Sequence, residues 1–201
     1  MLNKELVQSW PHGQLFVISA PAGAGKTTLV KKLVTAFPNV VQAPSLTTRP
    51  RRSDEIEGKD YHFVSKQEFA SRESKDELLE HIELHGHLYG TSRKEIELAR
   101  QSGRHVVLVI DTRGAIALQP LLKPVLIFIK PPSFDTLRER LEKRASEDPK
   151  SLEKRLSWAR KELSDESHFH YSIINDDLTK AFHVLASIVI AESHKIITTK
   201  E

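Results

Sequence analysis

The residues that say most about chemistry stand early in the chain. In "FVISAPAGAGKTTLVKKL" (residues 16–33) an apolar run gives way to Gly23 and Gly25, then to Lys26, Thr27 and Thr28 and a helical pattern. This is the order of a phosphate-binding loop, G-x-x-x-x-G-K-S/T, in which backbone N–H groups and a helix N-terminus converge on an anion. Ala20, Pro21, Ala22, Gly23, Ala24, Gly25, Lys26, Thr27 and Thr28 would form the cradle. Lys26 would reach the β- and γ-phosphates of a nucleoside triphosphate, and the Thr27 hydroxyl would help hold Mg²⁺. G-K-S/T alone is weak, arising by chance in on the order of one in ten chains of this size. Its place between a buried strand and a helix carries the reading. One position departs from the pattern, because Ala20 stands where the first glycine belongs. A Cβ is tolerated there only at negative φ, since a left-handed residue would cost about 1–2 kcal/mol.

A second set of anion donors follows. "SLTTRPRR" offers Ser45, Thr47, Thr48, Arg49, Arg51 and Arg52, and Tyr61 and Tyr89 could add phenolic donors. Arg49 and Arg52 could close on one phosphate as planar forks. On residue types alone a solvated basic loop explains this segment equally well. Likewise, "RERLEKRASEDPKSLEKR" (138–155) is ordinarily a solvated helix face with i,i+4 pairs. "HIELHGH", with His81, His85 and His87, has a spacing that could bind metal, but a solvated turn is the simpler reading.

These residues must be positioned by a chain of 201 residues, enough for one lobed domain with a sizeable core. The net charge of +3 suits small-molecule phosphates as well as it suits nucleic acid, and there is no basic tail. With no cysteine, disulfides, thiolate catalysis and cysteine-based zinc sites are excluded. The N-terminal residues lack the apolar run of a signal peptide, and "HVVLVI" and "PVLIFI" are far too short to span a membrane. The expectation is a cytosolic protein acting on small molecules, with no nucleic-acid or membrane partner. Short apolar runs at 15–19, 40–43, 105–110, 125–129 and 172–174 read as strands. Helical patterns cover 26–37, 66–74, 92–102, a stretch capped by Ser133, 150–168 and 178–192. The alternation predicts an α/β fold with a parallel sheet and helices on both faces. Residues 44–63 are polar and aperiodic, too long for an idle connection, and "HGHLYGTS" (85–92) carries turn signals.

With all these pieces in view, the sequence resembles guanylate kinases, the enzymes that make GDP from GMP and ATP in guanine nucleotide recycling. The matching segments are "APAGAGKTT", "SLTTRPRR" followed by the spaced "DYHFVS", "ELLEH", "LYGTSR", "IDTRG", "IFIKPPS", "RLEKR", "KRL" and "NDD". They fall in the family's order and cover roughly residues 13–192, leaving 1–12 and 193–201 as terminal extensions. The resemblance implies a P-loop nucleotide kinase fold with a core of 13–43, 99–143 and 156–192. It implies an inserted GMP-binding lobe (44–98) and a lid (144–155). Arg49, Arg52 and Tyr61 match ligands of the GMP phosphate, with Tyr89 and Gly90 beside them, and Glu80 matches the guanine-reading carboxylate. Guanine presents adjacent N1–H and N2–H donors to such a carboxylate, whereas adenine presents an acceptor at N1. Rejection of the wrong base by roughly 10⁴-fold is consistent with that arrangement. Ser45 and Thr91 match hydroxyls near O6, and Asp111 a carboxylate near the guanine amino group or Mg²⁺-bound waters.

Lys26, Arg49, Arg140, Arg144 and Arg155 match the cations that neutralise the transferring phosphoryl group, and Asn175 a position near the adenine of ATP. The implied cofactor is Mg²⁺ and the implied substrates are ATP and GMP or dGMP. Against the family pattern, Ala20, Ala22, Asp54, Arg113 and Ala145 are replacements, and Val109 stands where an acid is usual. Two rival readings remain at this level: a non-catalytic phosphopeptide-binding module on the same fold, and a small-molecule kinase with another acceptor.

Overall fold

The computed structural model describes residues 4–8, 12–84, 86–144 and 149–196. In chain order the strands are β1 (Leu15–Ser19), β2 (Val40–Gln42), β3 (Ser45–Thr47), β4 (Tyr61–Phe63), β5 (Leu78–Leu84), β6 (His87–Ser92), β7 (His105–Val109), β8 (Val125–Lys130) and β9 (Tyr171–Ile174). The helices are α1 (Lys26–Ala36), α2 (Lys66–Ser74), α3 (Arg93–Gln101), α4 (Thr112–Leu122), α5 (Phe134–Arg144), α6 (Pro149–Ser164) and α7 (Leu178–Ser193).

Every side chain of β1 is buried, so the strand needs cover on both faces. It lies in the middle of a five-stranded sheet of order β2-β7-β1-β8-β9, parallel throughout. Alternation along β1 feeds two cores. Phe16 and Ile18 pack with Leu29 and Leu33 of α1 and Leu185 and Val189 of α7. Leu15 and Val17 pack on the other face with Ile96 of α3 and Leu118 of α4. Each such side chain, fully buried, contributes about 1.5–3 kcal/mol. Because the strands are parallel, the loops after β1, β7, β8 and β9 all leave from one edge, the edge where open α/β sheets bind ligands. Residues 4–8 also dock on this core. Val7 is buried, Asn39 Nδ2 donates to the Val7 carbonyl at 2.7 Å, and His105 Nε2 donates to the Gln8 carbonyl at 2.6 Å.

A second, four-stranded sheet has the order β4-β3-β6-β5 and a small core of Leu46, Phe69 and Leu78. Here the structure departs from the sequence reading. The segment expected as a turn at 85–92 is mostly strand β6, antiparallel to β5, with Gly86 at φ 79° in the connection; residue 85 lies outside the described residues. Helix α4 was unread because Gly114 and Pro120 both break a helical pattern. The helix expected over 150–168 ends at Ser164 and tightens into a 3₁₀ turn at Asp165–His168.

Candidate active site

The loop after β1 has the geometry of an anion cradle. Gly23 and Gly25 take φ of 88° and 92°, in the left-handed region that side chains avoid. Among the described residues only Asp76 and Lys123 are non-glycines at positive φ, so Ala20 lies at negative φ, where its buried Cβ packs in the core. Gly25 stands at the N-cap of α1 without a side-chain cap, leaving the first helical N–H groups to an anion. A small pocket of about 70 Å³ is lined there by Pro21, Gly23, Gly25, Lys26, Thr27 and Thr28. Lys26 is half-buried, its Nζ 3.5 Å from the Ala20 carbonyl. Burial pulls its pKa below the usual lysine value, while Glu162 and Asp111 pull it back up.

Asn175 is buried against the loop. Its Nδ2 donates to the Ala24 carbonyl at 2.7 Å, and a Cβ on Gly25 would stand 2.2 Å from that nitrogen. Arg140 Nη2 in turn donates to the Asn175 carbonyl at 3.0 Å. Both residues thus brace the loop. The described atoms of Arg144 end with the helix α5 backbone, and its side chain and Ala145 lie outside the described residues.

The four-stranded sheet presents the second set. The Arg49 guanidinium lies over the Tyr61 and Phe63 rings at 5.3 and 5.8 Å and is gripped by both oxygens of Glu55, at 2.6 and 3.1 Å. Glu55 Oε2 also accepts from the Arg52 backbone N–H at 2.9 Å, and the exposed Arg52 guanidinium lies 3.9 Å from Oε1. Burial would push the Glu55 carboxyl up, but these bonds outweigh it and hold it below the carboxylate range. Tyr61 and Tyr89 stand edge to face, with ring centroids 6.1 Å apart. Gly90 touches the sheet's own core, since a Cβ there would meet Phe69 at 3.0 Å.

Glu80 is only 8% exposed. Thr91 Oγ1 donates to its Oε1 at 2.6 Å, while Oε2 has no partner among the described residues. Burial pushes its pKa to about 7, Thr91 opposing and Asp111 adding to the rise. Gly114 makes the seat, because a Cβ there would lie 2.9 Å from Oε2. Asp111 caps α4 by accepting from Gly114 N at 2.9 Å, and pairs with Arg113 at 3.0 Å.

One cleft of about 1470 Å³ joins the two sets. Gly23, Thr27 and Thr28 line one side, Ser45, Arg52 and Tyr61 the other, with Val109 and Arg155 between. Its volume exceeds the roughly 300–1,000 Å³ of a single small-molecule site, leaving room for two ligands. Lys31 of α1 reaches across to Asp60 at 3.5 Å. Sequence reasoning missed Glu55, Gly114 and Glu162. Glu55 was visible as an acid just after an arginine run, but the other two gave no signal in charge or periodicity. His81 and His87 lie on β5 and β6, and among the described residues no three His, Cys, Asp or Glu groups gather to hold a metal. No described helix is long and apolar enough to cross a membrane.

A phosphate-loop cradle at the carboxyl edge of a parallel sheet, facing a second polar pocket across one cleft, defines a P-loop kinase of small molecules. The family model for guanylate kinase matches residues 12–192. A guanylate kinase of Protochlamydia amoebophila (strain UWE25) is 50% identical over 184 residues, covering 92% of this chain and 93% of that protein. One from Chlamydia trachomatis serovar D is 44% identical over 195 residues, covering 96% and 94%. The crystal structure of guanylate kinase from Anaplasma phagocytophilum superposes with a TM-score of 0.77 at 35% identity, covering 94% of this chain and 89% of that one. The chain belongs to the guanylate kinase family.

Proposed function

We propose that the chain transfers the γ-phosphoryl group of ATP to the phosphate of GMP, releasing ADP and GDP. The observation that carries the acceptor is the buried Glu80 oxygen that no described protein group satisfies. A carboxylate with one oxygen on Thr91 and one free fits a guanine edge, whose two N–H donors would occupy it. Ser45 lines the cleft, and Arg49, Arg52, Tyr61 and Tyr89 would take the GMP phosphate. Asp111 would stand by the guanine amino group.

The phosphate loop, residues 20–28, would hold the ATP phosphates. An oxygen of the GMP phosphate attacks the γ-phosphorus in line, a new P–O bond forms, and the bond to the β,γ-bridging oxygen breaks. The acceptor is already an anion, so no strong base is needed, and positioning and charge neutralisation carry the rate. Lys26, Arg155 and the lid's Arg144 would face the transferring group. Arg140 and Asn175 act through the loop they brace. The donor set at the loop mouth, the exposed hydroxyls of Thr27 and Thr28 beside substrate phosphates, suits Mg²⁺, which keeps waters and binds few protein ligands. Held by Thr27 and the nucleotide, Mg²⁺ would neutralise charge on the β- and γ-phosphates. We assign residues 44–98 to the acceptor lobe and 144–155 to the lid, whose closure would exclude water.

A coupled ADP-release assay with GMP, dGMP, AMP, UMP and no acceptor tests this. Turnover with guanine acceptors alone is expected. Equal turnover with AMP or UMP, or none with GMP, would refute it.

A further inference from the structure

The first turn of α4 carries a cation that no step of the transfer uses. Arg113 stands at one of the positions where the chain departs from the family pattern. Its side chain is half-exposed, yet three partners define its place. Nε and Nη2 both donate to Asp111 Oδ2, at 3.1 and 3.0 Å. Nη2 also lies 3.5 Å from the Glu83 carbonyl of β5, at the limit of a hydrogen bond. The guanidinium carbon lies 5.2 Å from the centroid of the Trp158 ring on α6, within cation–π range.

These contacts run in two directions. Toward the acceptor lobe, Asp111 passes the hold on. Its Oδ1 accepts from Gly114 N at 2.9 Å, and Gly114 seats the unpartnered Glu80 oxygen on β5. Toward the lid, Trp158 stands three residues after Arg155, at a neighbouring position on the surface of the same helix. Arg155 lines the cleft. A second fastening joins the same two elements, since Thr112 Oγ1 donates to Asp165 Oδ2, in the 3₁₀ turn after α6, at 2.5 Å.

We propose that Arg113 is a positioning residue, which ties the guanine pocket to the helix that carries Arg155. The inference rests on the reading of Glu80 as the guanine contact and of Arg155 as a cation facing the transferring group. A guanidinium is a planar fork. It can pair a carboxylate along its edge and lie on a ring through its face at the same time. A lysine ammonium is a point charge and cannot do both. The edge of Arg113 therefore serves the acceptor side, and its face serves the lid side. One side chain sets the bound acceptor and the lid cation in a common frame, where a misplacement of about 1 Å is costly to transfer.

The two halves of that role separate in kinetics with ATP and GMP. Arg113→Met removes both, so the KM for GMP is expected to rise several-fold and kcat to fall roughly tenfold, with the KM for ATP within about twofold. Arg113→Lys keeps the charge beside Asp111 but loses the flat face. Its KM for GMP is expected to stay within about twofold of wild type while kcat remains several-fold low. Trp158→Leu should reproduce that pattern, and Arg113→Lys combined with Trp158→Leu should be no worse than either alone, because both break one contact. Wild-type kcat in Arg113→Lys, or losses that multiply in the double variant, overturns this inference alone. Lower Tm with equal losses toward both substrates in all variants overturns it too, as a merely structural role. No GMP-dependent turnover in the wild type removes the reading of the site, and the inference with it.

Discussion

Glu80 must stay buried and yet carry a charge, and these demands conflict. Burial raises its pKa from 4.5 to about 7, so the folded protein takes up a proton there that the unfolded chain releases. The stabilisation from that raised pKa is complete below 4.5, is lost as pH rises toward about 7, and changes no further above it. Relative to wild type, the unfolding free energy of Glu80→Gln should therefore climb by about 1.4 kcal/mol per pH unit across that window, then level off, in denaturant titrations. Activity should move the other way. The ionised form accepts the guanine N–H pair, so wild-type kcat/KM for GMP should drop below about pH 7, and Glu80→Gln should lose roughly 10³-fold or more at pH 8. A flat stability difference would mean that Glu80 ionises freely. At this scale the sequence was legible only through motif. A lone glutamate has no signature, Gly114 matters through the volume it does not fill, and Glu55 through arginines it restrains.

The loop between β1 and α1 shows how an element tolerates a departure from its pattern. The tight turn falls on Gly23 and Gly25, so the Ala20 methyl meets no backbone strain and adds to the core. Ala20→Gly should cost roughly 0.5–1 kcal/mol of stability and leave the KM for ATP unchanged, as steady-state kinetics and thermal melts would report. Gly25→Ala meets both a φ of 92° and the Asn175 amide at 2.2 Å. Strain and one lost hydrogen bond together should cost about 2–3 kcal/mol and weaken ATP binding at least tenfold. Equal behaviour of the two variants would contradict the geometry. The inner parallel strands were readable because burial on both faces makes β1, β7 and β8 continuous apolar runs. The strands of the second sheet were not. β3 and β4 are three residues each, and β6 mixes histidine, glycine and hydroxyls in a pattern that resembles a turn.

Across the whole molecule, two sheets bound one cleft, and the chain closes on itself at His105. That side chain is fully buried, accepts from Gln14 N at 3.1 Å and donates to the Gln8 carbonyl, so only the neutral ring satisfies both. Burial lowers its pKa, with the Gln8 bond opposing. Stability from this group is present above pH 6.5 and lost as pH falls through the lower folded value. An NMR titration should find His105 less than half-protonated at pH 6.5, and half-protonation there would contradict the buried placement. The two-sided cleft, rather than any one residue, makes transfer between two bound nucleotides the central claim. The most direct measurement follows the phosphorus itself, with γ-labelled ATP and GMP mixed in a single turnover. Label should appear in the β-phosphate of GDP, one for each ADP formed. Label released as inorganic phosphate, or retained in ATP, would contradict the account.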